Sequence, residues 1–211
     1  MTMLAGELEA WKKLERRDPE EAAACAGAEY WVEDAVFALP VFGQAYLVDP
    51  DGRSIREIGL HELHLDDTTH LNLLAPLYLA GCAPPETSGK MIPPNSLPGG
   101  AAFFKGPHEI PNEVIAHNFG SDPEKFMHTG VMLGGRAAAG GDAAVSIPVF
   151  PKLVVTVILW TGDLEFPPRA QMLLDETAAS HLRIDALWAA MVMTARAMVQ
   201  LGGHGAHDDN V

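Results

Sequence analysis

The stretch Leu153-Val154-Val155-Thr156-Val157-Ile158-Leu159-Trp160 decides how the chain is read. Eight residues, β-branched or apolar almost throughout and free of glycine and proline, describe a strand covered on both faces. Val145 to Ile147 read as its partner, and Pro148 and Pro151 mark the connection between them. Upstream, residues 34 to 59 carry the signature of a three-strand antiparallel meander. Val36 to Phe42 break at Gly43, Ala45 to Val48 follow, and Asp49-Pro50-Asp51-Gly52 is a turn in which proline presets one dihedral and glycine takes the positive one.

Helices surround these strands. Leu4, Leu8, Trp11 and Leu14 share one helical face. Asp18-Pro19-Glu20-Glu21 opens a second helix with a cap, a proline at the first position and acids at the positive end of the dipole, and Gly27 stops it. A third runs from Thr68 or Thr69 to Gly81, where Pro76 should kink it or end its first part. Pro111 to Phe119 and Pro123 to Met132 read as two short helices, the second started by Ser121-Asp122-Pro123-Glu124. The last spans Ile184 to about Leu201, with Ile184, Leu187, Trp188, Met191 and Ala195 on one face and Gly202-Gly203 as its stop. Between Ala83 and Gly106, prolines and glycines crowd into a long loop, and long loops inside compact folds commonly carry function. The expectation is a single α+β domain over residues 1–211, an antiparallel β-sheet packed with helices. The Pro/Gly-rich loop should lie over one edge, and 204–211 form a polar tail.

The 211 residues carry 14 Lys and Arg against 28 Asp and Glu, a net charge of -14 spread over both halves. That balance argues against nucleic acid or an anionic membrane as the main partner. The longest run without a charged side chain, Thr68 to Pro85, is interrupted by prolines and polar residues and does not read as a span. No apolar segment follows Met1, so a cytoplasmic protein is expected. Cys25 and Cys82 form no CxxC unit and have no basic sequence neighbour. One disulfide is expected as one reading, two small-hydrophobe thiols as the other, and neither cysteine is expected to have a basic setting that would activate it. No GxGxxG, GxxxxGK[ST] or GxSxG occurs.

Two stretches could carry chemistry. Trp160-Thr161-Gly162-Asp163-Leu164-Glu165-Phe166-Pro167-Pro168 follows the central strand directly. In an extended chain Asp163 and Glu165 point to one side, and with Asp175 and His181 downstream they could hold a divalent metal or act as acid and base. The structural alternative has Asp163 closing a turn and Glu165 capping a helix or pairing with Arg169. The second stretch is the loop segment Leu97-Pro98-Gly99-Gly100 with Phe103-Phe104-Lys105-Gly106-Pro107-His108. Gly99 and Gly100 permit close backbone approach, while Phe103, Phe104 and His108 suit an apolar ligand with an orienting polar group. His61, His64 and His70, with Asp66 and Asp67, read as a solvated polar edge. His117 and His128 are lone histidines on helices, and His204 and His207 lie in the tail.

The order of these motifs resembles a bacterial and archaeal family, the domain of unknown function DUF3786. The resemblance runs from about Trp11 to Leu201. It rests on Asp18-Pro19-Glu20, Phe42-Gly43, Leu97-Pro98-Gly99-Gly100, Phe119-Gly120, Gly141-Asp142 and above all Trp160-x-Gly162-Asp163-x-Glu165-Phe166-Pro167-Pro168, with Leu174-Asp175 and His181-Leu182 after it. The resemblance implies kinship with proteins of anaerobes, some of which carry an added iron–sulfur domain similar to that of corrinoid proteins.

Three functions are then expected to compete. One is a ligand-binding domain holding a small molecule, such as a tetrapyrrole (a corrinoid or haem), with His108, His117 or His181 as the axial nitrogen. Another is a metal-dependent enzyme using Asp163 and Glu165. The third is a non-catalytic adaptor with a protein partner. The first two need the proline-glycine arm and the acidic turn to close around one hollow.

Overall fold

A computed structural model of the protein describes residues 5–58, 69–84 and 86–204. Two helices lead, α1 (Ala5–Leu14) and α2 (Pro19–Ala26). The second is capped as its sequence dictates: the Asp18 carboxylate accepts from the Glu21 amide at 2.9 Å, and Gly27 closes it at φ 67°. An antiparallel sheet follows in the order β1 (Glu29–Trp31), β2 (Val36–Val41), β3 (Gln44–Asp49), β4 (Ser54–Glu57). The expected meander is there, with β1 added on its outer side.

The β2–β3 turn has positive φ at both Phe42 (50°) and Gly43 (75°), the primed geometry that matches strand twist. Phe42 tolerates a conformation unusual for a bulky residue while its ring is fully buried. The β3–β4 turn differs from expectation. The left-handed residue is Arg53 (φ 47°), held by two bonds to the Glu15 carboxylate, and not Gly52. Gly52 serves close approach instead: its amide donates to Asp49 at 2.9 Å, and a Cβ there would strike that carboxylate.

Helix α3 (Thr69–Gly81) continues through Pro76 without ending. The Pro/Gly-rich segment then supplies the edge strand β5 (Met91–Ile92), a 3₁₀ turn at Pro94–Ser96, the short α4 (Gly100–Phe103) and a second 3₁₀ turn at Gly106–His108. Helices α5 (Asn112–Phe119) and α6 (Pro123–Met132) come next, the latter capped by Asp122. The second antiparallel sheet runs β5-β9-β8-β7-β6. It is made of β6 (Arg136–Ala137), β7 (Ala143–Phe150), β8 (Leu153–Trp160) and β9 (Arg169–Asp175) around the edge strand already named. The sheet expected as one is therefore two. They meet where the Phe42 amide donates to Val149 O at 3.3 Å and Gly134 lies against Phe42 and Gly43 with no room for a side chain.

The chain closes with α7 (Ala178–His181) and α8 (Ile184–His204). Helix α8 packs on α3, α5, α6 and β7, with Leu187, Ala190, Met191 and Met198 fully buried. It runs through Gly202 and does not stop there. Gly202 is buried, and a Cβ would press on the Phe119 ring. By length and composition this helix could cross a membrane, but 56% of that window is buried inside the protein, as in a core helix. One continuous apolar cluster joins both sheets and the helices.

Candidate functional site

A cavity of about 710 Å³ opens between α1, α3, the α4 segment, α7 and the start of α8. Its floor is aliphatic, from Leu73 and Leu77 on α3 and Ala186 and Ala189 on α8. One wall is aromatic. The Phe103 ring stacks on His108 (centroids 4.3 Å apart, 23° between planes), and His108 meets the Trp188 ring edge-on at 5.3 Å. The Trp188 indole N–H donates to Glu109 O at 3.1 Å, which fixes that wall to α8. Lys13 and Arg183 stand exposed at the rim, with Glu9 and Asp185 beside them.

His181 lines the opposite side and is 2% exposed. Its Nδ1 lies 3.5 Å from the Cys82 thiol, and its Nε2 is buried without a hydrogen-bond partner. Burial, helped by the Lys152 ammonium, holds the imidazole below its usual pKa, so the neutral ring prevails near pH 7. A buried ring nitrogen left unpaired is costly, and such atoms in a native fold call for a partner.

Three of the residues expected at a ligand site thus reach the cavity: Phe103, His108 and His181. The other three act behind it. Gly99 takes φ 80° at the start of α4, Gly100 packs on the Pro94 carbonyl where a Cβ would overlap it, and Phe104 is buried in the core. The glycines therefore aim the segment and do not line the cavity. His117 and His128 are exposed on α5 and α6. Residues 61–67 and the side chains of 204 and 207 lie outside the described residues. His70, on the first turn of α3, lines the cavity.

The carboxylates go elsewhere. Asp163 accepts from the amides of Glu165 (2.8 Å) and Phe166 (2.7 Å), and its own amide donates to Phe166 O at 2.9 Å. These backbone donors hold its carboxyl below the usual range. The turn is braced from outside. Asp142 accepts from the Thr161 amide and hydroxyl, Gly162 N donates to Gly120 O, and Pro168 sits on both glycines. Glu165 is exposed, and Arg169 stacks over Trp160 at 4.1 Å without pairing to it.

Asp175 is at the other end of β9, roughly 20 Å of strand away at ~3.3 Å per residue. It is 1% exposed, and its carboxylate accepts from the amides of Ser88, Gly89 and Thr177 and from the hydroxyls of Ser88 and Thr177. It ties the Pro/Gly-rich segment to the sheet. Asp163, Glu165 and Asp175 do not converge, and among the described residues no group of three or more His, Cys, Asp or Glu side chains could hold a metal ion. The expected hollow shared by the arm and the acidic turn is corrected: the arm closes on His181, and the turn lies at the far end of the β8–β9 hairpin.

Sequence reading also passed over a buried polar cluster. Cys25 and Cys82 are free thiols. Cys25 Sγ donates to Cys82 O at 2.9 Å and Cys82 Sγ to Cys25 O at 3.1 Å. Burial and the nearby Cys25 push the Cys82 thiol up to about 11. His181 and Lys152, remote in sequence, stand beside Cys82, so its surroundings are not devoid of basic groups. Lys152 is 7% exposed and pairs with Glu86 at 2.7 Å. The Tyr78 hydroxyl donates to Ala26 O and accepts from the Lys152 amide. The partners are 52 to 99 residues apart, which no local pattern could reveal.

Neither the curated proteins nor the solved structures contain a match to this chain. A family model described as "Domain of unknown function (DUF3786)" matches residues 18–197. That span takes in both sheets, the cavity's α3, α4 and α7 walls and the braced acidic turn, and on it the chain belongs to the DUF3786 family.

Proposed function

We propose that the protein is a ligand-binding domain whose site is the cavity between α1, α3, α4, α7 and α8. The observation that carries this is the meeting of Phe103, His108 and His181, from two distant stretches of sequence, on one mostly apolar hollow. Its volume falls within the roughly 300–1,000 Å³ range of small-molecule sites. The aromatic wall suits a flat molecule, Lys13 and Arg183 at the rim suit its acidic groups, and the unpaired Nε2 of His181 suits a hydrogen-bond acceptor or a metal centre in its plane. Tetrapyrroles, haem and corrinoids alike, combine these properties, and His181 is the axial nitrogen of choice.

Titration of the purified chain with haemin and with cobalamin tests this. The expected result is a visible-band shift that His181→Ala abolishes, His108→Ala weakens and His117→Ala leaves intact. Spectra and thermal midpoints unchanged for both compounds would remove the tetrapyrrole reading.

A second reading, an adaptor with a protein partner, draws on a different observation. The braced turn presents Leu164 and Phe166 to solvent at 106% and 66% exposure. Exposed apolar side chains on a rigid support suit a contact surface. A photo-crosslinking residue placed at 164 in cells should give one discrete adduct that a probe at exposed Glu113 does not. Equal labelling at both positions would count against a partner.

A further inference from the structure

The Cys25–Cys82 pair is built for more than packing. The end of α3 is stitched to α2 and to Arg17, just before α2, by five hydrogen bonds. Arg17 donates to Leu79 O (2.8 Å) and Cys82 O (3.0 Å), Tyr78 donates to Ala26 O (3.0 Å), and the thiols donate reciprocally to each other's carbonyls. That reciprocal pattern lays the two Cβ–Sγ arms side by side between the same two backbone segments. Cys25 also lies close enough to disfavour ionisation of Cys82. Cys25 is half-buried, whereas Cys82 is 3% exposed with His181 Nδ1 at 3.5 Å. The more exposed cysteine, the buried one and a neutral base form an ordered set.

We propose that Cys25 and Cys82 are a dithiol that closes to a disulfide in exchange with a low-molecular-weight disulfide of the glutathione class, with Cys25 attacking, Cys82 resolving and His181 as the base. In the first step the Cys25 thiolate attacks one sulfur of the small disulfide. The S–S bond breaks, a mixed disulfide forms on Cys25, and the displaced thiolate takes a proton from solvent. In the second, Cys82 gives its proton to His181 Nδ1 and attacks Cys25 Sγ. The intramolecular disulfide forms, and the second small thiolate leaves and is protonated in turn. Two protein thiols are oxidised and one small disulfide is reduced to two thiols. Burial keeps Cys82 protonated at rest, so the base is needed at the second step alone. The first exchange step stands on the thiols alone, whereas a metal centre held by His181 Nε2 would leave the ring hydrogen on Nδ1 and withdraw the base from the second step.

The experiment is incubation of the reduced full chain with oxidised glutathione, followed by alkylation, intact-mass measurement and peptide mapping. The expected product has lost two hydrogens, takes up no alkylating agent and yields one crosslinked peptide pair containing Cys25 and Cys82. Cys82→Ser should stop at a glutathione adduct on Cys25, and Cys25→Ser should not react. His181→Gln should accumulate the mixed disulfide, with closure slowed by about 10²-fold or more. Two alkylatable thiols after exposure to glutathione ratios that oxidise a reference dithiol would overturn the proposal. So would separate adducts on both cysteines without a crosslink. The wild-type map alone decides between these results, whatever the stability of the variants.

Discussion

Asp175 shows how one side chain can be read for the wrong chemistry. Its position soon after Asp163 and Glu165 suggested a metal ligand, yet five donors already surround its carboxylate. Burial alone would raise its pKa, but the bonds from Thr177, Ser88 and Gly89 outweigh that and hold it below the ordinary 3.8. A carboxyl with a depressed folded pKa adds stability that is complete above its unfolded pKa and is lost as pH falls through the folded one. Asp175→Ala leaves buried donors unpaired and should cost about 1–3 kcal/mol at neutral pH. Urea midpoints compared at pH 7 and at acid pH should show the difference between variant and wild type shrinking as the pH drops. An undiminished difference would mean that the ionised carboxylate is not what holds the Ser88–Gly89 segment.

At the scale of elements, the acidic turn is a piece of architecture. Gly120, the residue after α5, carries Pro168 directly on its Cα, and a Cβ would overlap that ring as well as Ala116 O. Gly120→Ala should therefore cost about 1–3 kcal/mol through overpacking while leaving any cavity ligand's affinity within twofold. Thermal melts alongside a binding titration would check both halves of that statement.

The same region shows what the sequence made legible. Asp18-Pro19 and Asp122-Pro123 announced their helices because a cap and a proline act within one turn of chain. β8 announced itself because a strand buried on both faces needs unbroken apolar residues. β9 did not, since Arg169-Ala170-Gln171 face partly outward and only Met172, Leu174 and Asp175 are fully buried. Gly202 misled because a glycine near a helix end looks like a stop. Its actual cause is the Phe119 ring, 83 residues earlier and out of reach of any local rule. For the site, the loop's aromatics were visible as candidates, but their meeting with His181 depends on how α7 is set against α3.

At the scale of the molecule, two sheets that share one core should not melt independently. Phe42 sits at their junction, fully buried, with its amide bonded to Val149 across the seam. Phe42→Ala should cost about 3–5 kcal/mol, and tryptophan fluorescence and far-ultraviolet circular dichroism should report one coincident transition in both proteins. Two separated transitions would show that each sheet stands on its own. Helix α8 carries the remaining consequence. It is made after all the other described elements, and α3, α5, α6 and β7 all rest against it. During synthesis, everything before it must wait on the ribosome with apolar flanks uncovered. A stop codon or a stall anywhere in residues 184–204 would hand the cell's proteases a chain that cannot close its core.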